Sequence, residues 1–302
     1  MTAAGARLSV VIVTYHSADL IGPCLESIGH GEDPSVEVFV VDNASPDGTA
    51  GFVRRNFPGV ALLMNTGNRG FAAANNQALP LCRGEYIVLL NPDTVVRPGV
   101  LGALADYMDA HPYVGLAGPR IENPDGTRQD SVSYRYPGGK YAVRELAGLP
   151  GAIACVMGAC QIVRRKLMEE LGGLDEAFFL YAEDQDLCLR IRARGYEIGY
   201  LETATILHYG GRSEREFEPI EVFRKKVRAE YRFYRKHYRP ETIRRIRRAH
   251  LVRSLWRMAS IRTLMLVTRD RDAASRKLQK YRAVYEAAHD AAKEAGQGGT
   301  GP

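Results

Sequence analysis

The sequence contains no recognisable cysteine pairs. Its five cysteines, Cys24, Cys82, Cys155, Cys160 and Cys188, are odd in number and form neither C-x-x-C nor paired Cys/His spacing, so neither a disulfide framework nor a zinc site is expected. They read as reduced core residues of a cytosolic chain. No apolar stretch approaches the roughly 20 residues of a membrane span, so any membrane contact is expected to be peripheral. The N-terminal stretch "MTAAGARLSVVIVTYHS" reaches an apolar run of strand length without a charged-then-apolar-then-cleavage pattern. No G-x-G-x-x-G follows the first strand, and there is no G-x-x-x-x-G-K-[ST] and no H-E-x-x-H. The usual dinucleotide, P-loop and zinc-peptidase readings therefore lack their anchors.

The 302 residues, 45% hydrophobic and 25% charged, fit one large domain with an appendage, or two domains. Charge divides the chain. Residues 1–211 hold 17 Lys+Arg against 24 Asp+Glu, net −7, while residues 212–302 hold 24 against 11, net +13. The overall +6 describes neither part.

Up to about residue 110 the chain alternates between two periods. "LSVVIVT" (8–14) is a continuous β-branched run, expected as a strand buried on both faces. Ile21, Cys24, Leu25 and Ile28 then fall on one helix face. "VEVFVV" (36–41), "VALLM" (60–64) and "EYIVLL" (85–90) read as strands. Helices are expected around Phe52, Val53 and Phe57, from Phe71 to Leu81, and through Val100, Leu104 and Met108. Strand–helix alternation implies a mostly parallel sheet covered by helices, with ligands beyond the carboxyl ends of the strands.

Those strand ends are all polar: Thr14-Tyr15-His16-Ser17, Asp42-Asn43-Ala44-Ser45, "NTGNRG" (65–70) and Asn91-Pro92-Asp93. Four in succession point to one shared crevice. Pro92 cannot donate to a ladder, so the strand stops there and Asp93 projects from its tip, a place for a metal or ligand.

"VVIVTYHS", "VVDNASPDGT", "NRGFAAANN", "LLNPDT", "GAC", "GGLDEAFFLYAEDQDLCLR" and "ILH" occur in that order, and in this the chain resembles family 2 glycosyltransferases, most closely rhamnosyltransferase-like bacterial members. The resemblance covers about residues 8–211. It implies a GT-A fold, an α/β architecture with a Rossmann-like, mostly parallel sheet and helices on both faces, here with a basic helical C-terminal extension. Residues 1–211 would be catalytic, with a nucleotide-sugar half near 1–97 and an acceptor half near 98–211, and 212–302 would be the extension.

By that resemblance Thr14 and Tyr15 belong to the donor-nucleotide site. Tyr15 stacks on the base, a contact contributing about 1–3 kcal/mol. Asp42 accepts the base N–H, or opens an Asx turn, or does both. Asn68 and Asn75 line the nucleotide or are turn and cap residues. Asp93 holds Mg²⁺ or Mn²⁺ against the donor diphosphate, one carboxylate sufficing because phosphate and water complete the shell. His208 is either a second ligand or a structural histidine.

The stretch 172–190 is dense in acids. Asp175, Glu176, Glu183, Asp184 and Asp186 fall within twelve residues, among Phe178, Phe179 and Tyr181, a mixture that suits an apolar-edged sugar pocket. The resemblance makes Asp184 the general base of an inverting transfer and assigns Asp175, Glu176, Tyr181 and Glu183 to the acceptor region. Leu174 and Cys155 depart from the family pattern, which has aromatics there. The implied partners are a nucleoside-diphosphate sugar and a glycan or polyprenyl-diphosphate-linked acceptor for cell-surface polysaccharide. A sugar-nucleotide nucleotidyltransferase is the enzymatic alternative, although "TYHSADL" has no phosphate-binding glycine.

The region 217–290 is expected to be helical, broken at Pro240. In 241–267, Ile243, Ile246, Leu251, Leu255, Trp256, Met258 and Leu264 alternate with seven Arg. A membrane interface bearing anionic lipid, on the cytoplasmic side of an inner membrane, is the favoured reading. Nucleic-acid binding, as a non-catalytic alternative, and a hairpin packed on the catalytic domain stay open. "GQGGTGP" at the end is expected to be disordered.

Overall fold

Seven consecutive residues, Leu8–Thr14, form β1 and are buried from end to end, as expected of β-branched side chains covered on both faces. The computed structural model describes residues 6–29, 33–210, 218–266 and 270–297. After β1 come α1 (Ile21–Ser27), β2 (Val36–Asp42), α2 (Thr49–Asn56), β3 (Ala61–Met64), α3 (Phe71–Ala78), β4 (Tyr86–Leu90), β5 (Thr94–Val96) and α4 (Val100–Ala110). Then follow β6 (Val114–Glu122), β7 (Val132–Ser133), β8 (Cys155–Val156), β9 (Cys160–Arg164), α5 (Arg165–Glu170), α6 (Glu183–Ala193) and β10 (Glu197–His208). Helices α7 (Pro219–His237), α8 (Pro240–Leu264) and α9 (Arg271–Gln297) complete the described chain.

The large sheet runs β3-β2-β1-β4-β9-β6-β10-β5. Its neighbours are parallel except β9, antiparallel to both β4 and β6, and β5, antiparallel to β10. This is the mostly parallel α/β fold that the alternating periods imply. The helix faces read from spacing are the buried ones: Ile21, Cys24, Leu25 and Ile28 at α1, and Val100, Leu104 and Met108 on α4, pack in one core with Val10, Ile12, Val40, Val88 and Leu90. Each fully buried aliphatic side chain contributes about 1.5–3 kcal/mol. All five cysteines are buried free thiols.

Three local boundaries differ from the sequence expectation. The helix expected to reach Leu81 stops at Ala78 and tightens into a 3-10 turn over Leu79–Leu81, because Pro80 has no N–H to continue the α-helical ladder. A second helix start in the C-terminal region lies at α9, where Asp270 Oδ1 accepts the Ala273 N–H at 2.9 Å as an N-cap. Of the tail expected to be disordered, Gly296 and Gln297 belong to α9, and residues 298–302 lie outside the described residues.

The chain divides into two compact units, one formed by residues 1–136 and 149–213, the other by 137–148 and 214–302. In the second, Tyr231, Phe233 and Tyr234 of α7 are buried. Tyr238 Oη donates to Pro137 O at 2.6 Å and Arg239 N–H to Glu145 Oε1 at 3.2 Å, which ties 137–148 to the helices. Residue 239 is extended because Pro240 follows it, and that restriction separates α7 from α8. Among the described residues no helix is long and apolar enough to cross a membrane.

Candidate active site

Parallel register sets the ends of β1 and β2 side by side, Thr14 opposite Asp42. Thr14 is fully buried and its hydroxyl donates to Asp42 Oδ1 at 2.9 Å, so it contributes through that carboxylate. Asp42 Oδ2 accepts the Ser45 N–H at 3.1 Å, a bond three residues along the chain, where an Asx turn would use the residue two along. Tyr15 is half-buried, with its ring edge-on to His16 at 4.6 Å.

The hub of these strand ends is a residue that the sequence shows only as one more polar position. Asn43, buried, donates through Nδ2 to Asn68 Oδ1 at 2.9 Å and to Gly70 O at 3.3 Å. Its Oδ1 accepts from Asn65 Nδ2 at 3.0 Å and from the Arg69 N–H at 2.9 Å. Asn68 Oδ1 also accepts the Gly70 N–H, which makes Asn68 an exposed turn-former. Asn75 is buried inside α3, where Nδ2 donates to Phe71 O at 2.9 Å and Oδ1 has no partner among the described residues. A buried acceptor left open is a place where a donor from outside the fold fits.

Asp93 is buried at the tip of β4, and the chain turns back at once as β5, whose Thr94 pairs with His208 of β10. That pairing brings His208 Nε2 within 3.3 Å of Asp93 Oδ1. The other ring nitrogen, Nδ1, lies 3.0 Å from Gln129 Oε1. Gln129 Nε2 donates to Asn123 Oδ1 and His208 O, which orients the amide and leaves Oε1 as an acceptor. Nδ1 therefore carries the proton and donates, so in the neutral ring Nε2 offers its lone pair toward the Asp93 carboxylate. Two electron-rich atoms facing each other require a positive charge between them or a proton on the ring. Gln129 carries no signal in the sequence, because only the β5–β10 pairing and the 123–129 turn place it there. Among the described residues no group of three or more His, Cys, Asp or Glu is set to hold a metal.

The end of β4 also touches the "GAC" stretch, where Asn91 N–H donates to Ala159 O at 2.9 Å. One residue earlier, the Gly158 N–H donates to Asp184 Oδ2 at 3.3 Å, while Asp184 Oδ1 accepts the Gln185 N–H at 2.8 Å. Asp184 is half-buried in the first turn of α6. Burial raises its carboxyl above the ordinary Asp value, opposed by the Gln185 and Gly158 N–H groups. Its neighbour Glu183 is buried with Oε2 unpaired among the described residues. Burial first, then the adjacent Asp184 charge, pushes the Glu183 carboxyl up to about 8, which favours its neutral form.

The five acids have different partners. Asp186 is fully buried and pairs with Arg190 Nε at 2.7 Å, and the same guanidinium donates to Leu171 O and Gly173 O. Asp186 thus helps hold Arg190 as a clamp on the loop at Leu171 and Gly173. Asp175 Oδ1 accepts the Ala177 N–H in a turn, and exposed Glu176 accepts from Asn76 Nδ2 at 3.1 Å. Tyr181, half-buried, lies immediately before the αL cap of α6. Leu174 and Cys155, the two departures from the family pattern, are both buried.

Among the described residues the non-glycine positions with positive φ are His16, Ala44, Tyr181 and Ala182, at 53°, 62°, 70° and 65°. They fall at the ends of β1 and β2 and at the entry to α6. Strain of this kind costs on the order of 1 kcal/mol or more each and persists where surrounding structure holds it. Gly70 shows how closely these segments approach: a Cβ there would lie 2.7 Å from Phe179, whose carbonyl accepts the Phe71 N–H. At Gly158 a Cβ would stand 3.3 Å from Asp184 Cβ. Gly158→Ala should shift that carboxylate by a few tenths of an ångström and lower turnover by roughly tenfold. Its thermal midpoint should stay close to that of the parent, and comparing kcat with calorimetric melting checks both.

Residues 9–172 match the Glycosyl transferase family 2 model. Over 236 residues the chain is 30% identical to the N-acetylglucosaminyl-diphospho-decaprenol L-rhamnosyltransferase of Mycobacterium tuberculosis, covering 68% of this chain and 77% of that protein. The fold superposes on the mannosyltransferase PcManGT from Pyrobaculum calidifontis, solved with GDP-Man and Mn²⁺, with a TM-score of 0.56 at 20% identity, covering 100% of this chain and 78% of that one. It also superposes on S. aureus TarS 1–349 solved with UDP, with a TM-score of 0.52 at 17% identity, covering 94% and 91%. A family match over more than half the chain, a relative of this similarity and the GT-A architecture of the sheet agree: the chain belongs to glycosyl transferase family 2 and is a rhamnosyltransferase-like glycosyltransferase.

Proposed function

We propose that the protein transfers a sugar, rhamnose first among the candidates, from a nucleoside-diphosphate donor to a polyprenyl-diphosphate-linked or glycan acceptor in cell-surface polysaccharide synthesis. The observation that carries this reading is the short backbone link between Asp184 and Asp93. Gly158 N–H holds the carboxylate of Asp184, and the next residue, Ala159, closes the strand end that presents Asp93. The two carboxylates are thereby tied to one stretch of chain, which supports reading them as a base and a diphosphate-facing group.

Tyr15 stacks on the donor base and Asp42, already held by Thr14 and Ser45, accepts a base N–H with its remaining lone pairs. Asn68 and Asn75 line the nucleotide, the open Oδ1 of Asn75 taking a donor group. Asp184 takes the proton of an acceptor hydroxyl as that oxygen bonds to the anomeric carbon. The bond from that carbon to the diphosphate breaks on the opposite face, and the configuration inverts. Burial makes Asp184 a stronger base than an exposed Asp, which suits proton removal near neutral pH. Glu183 and Tyr181 border the acceptor, while Asp175 and Glu176 shape the turn beside it. We assign donor recognition to about 1–97, acceptor recognition to about 98–211, and 212–302 to an extension.

The facing Asp93 carboxylate and His208 ring nitrogen fit a hard divalent cation, Mg²⁺ or Mn²⁺, whose remaining sites go to phosphate and water. When bound, such an ion neutralises the departing diphosphate. Asp93→Ala should weaken nucleoside-diphosphate binding in Mg²⁺ or Mn²⁺ and change it little in EDTA, as titration calorimetry would read. Equal losses in both buffers would make Asp93 purely structural.

The reaction itself is tested by nucleoside-diphosphate release from rhamnose, mannose and N-acetylglucosamine nucleotides, with and without an N-acetylglucosaminyl-diphospho-polyprenol. Acceptor-dependent release with the opposite anomer in the product supports the proposal. No release from any donor, or retention of configuration, overturns it.

A further inference from the structure

The sequence shows the apolar residues of 241–267 only as alternating with Arg, and the fold divides them between two faces. Ile246, Ser254 and Ile261 of α8 are buried within the helical unit, and Ile243, Leu251 and Met258 are half-buried. Val252, Leu255 and Trp256 point the other way and are 61%, 52% and 61% exposed. With exposed Ala259 they sit at i, i+3, i+4 and i+7, a single outward stripe. Leu264 and Leu266, 53% and 79% exposed, follow at the C-terminal end.

The stripe is bordered by charge of one sign. Exposed Arg248, Arg253, Arg257 and Arg262 surround it, and among the described residues none of the four forms an ion pair. The Arg257 guanidinium lies over the Trp256 ring at 4.8 Å. Helix α8 as a whole carries seven Arg and one Glu.

We propose that this outward face of α8 lies on an anionic lipid bilayer. Aliphatic and indole side chains enter the boundary of the acyl chains, and the long Arg side chains reach lipid phosphates around them. Self-association fits less well, because a two-fold contact would set the same Arg-rich surface against itself. Duplex nucleic acid would satisfy the charge but would leave Val252, Leu255 and Trp256 facing phosphates. The proposal stands apart from the sugar-transfer reading, since vesicles without any acceptor test it.

Trp256 is the chain's one tryptophan, so its emission reports directly on this face. The full chain is mixed with phosphatidylglycerol vesicles, phosphatidylcholine vesicles and duplex DNA, and followed by sedimentation and tryptophan fluorescence. Co-sedimentation with phosphatidylglycerol, a blue shift of Trp256 and weak binding to phosphatidylcholine are expected. Each Arg→Gln substitution at 248, 253, 257 or 262 should lower partitioning about fivefold. A Leu255→Ala, Trp256→Ala double variant should lower sedimentation by more than about tenfold. Added salt should weaken binding without abolishing it, because apolar burial is not screened. These side chains are exposed, so the variants should keep the parent's circular dichroism and melting. No binding to phosphatidylglycerol, binding with unchanged emission, or equal binding to both lipids would overturn the proposal. So would binding to DNA in place of vesicles, or a blue shift that rises with protein concentration alone.

Discussion

Asp184→Asn should lower turnover by roughly two to four orders of magnitude, the range that a positioned general base supplies, while donor affinity stays at the parent value. The amide keeps the shape of the side chain but offers one oxygen to the two N–H groups of Gly158 and Gln185, which Asp184 meets with separate oxygens, and it cannot take the acceptor proton. The lost hydrogen bond is offset by removal of a charge whose burial is unfavourable, so the melting temperature should stay close to the parent value. The neighbouring carboxyl supplies an internal check: Glu183 is held up partly by the Asp184 charge, and its titration should move toward the ordinary Glu value in this variant. Steady-state product release, calorimetry with nucleoside diphosphate and melting together separate catalysis from folding. Near-parent turnover would remove Asp184 from the role of base.

Six residues further along the same helix, the opposite result is expected. Arg190→Met should destabilise the fold by about 3–5 kcal/mol, because it removes the charge partner of a carboxylate that is fully buried. Besides its bond to Asp186, the guanidinium donates to Leu171 O at 3.1 Å and Gly173 O at 2.9 Å, so its loss also opens two loop carbonyls. Denaturant unfolding should show a lower midpoint with an unchanged slope, whereas turnover per folded molecule at low temperature should fall far less than in Asp184→Asn. A loss below about 1 kcal/mol would mean that Asp186 is solvated or neutral in the folded chain. The pair of experiments assigns separate work to two acids that the sequence presents as equivalent.

That equivalence marks where sequence reading stops. A helix turns about 100° per residue, so Asp184 and Asp186 point in widely different directions, one to Gly158 and one to Arg190. Composition within a short window records that both are acidic and cannot record which side is covered. The same holds for α8, where Ile246 and Ile261 turn inward and Leu255 and Trp256 outward, although all four count as apolar.

What the sequence determined by itself is local and periodic. The β-branched runs of β1, β2 and β4, the helix faces at Ile21, Cys24, Leu25 and Ile28, and the stop at Pro92 follow from side-chain branching, spacing and a missing N–H. The ordered motifs then carried the family and its fold. Tertiary structure alone decided the partnerships: the turn of β5 onto β10 that sets His208 and Gln129 beside Asp93, the four hydrogen bonds through Asn43, and the approach of Gly158 to Asp184. Each joins residues far apart along the chain. Spacing specifies which face a side chain occupies, but the partner across from it is set only when strands pair and loops close.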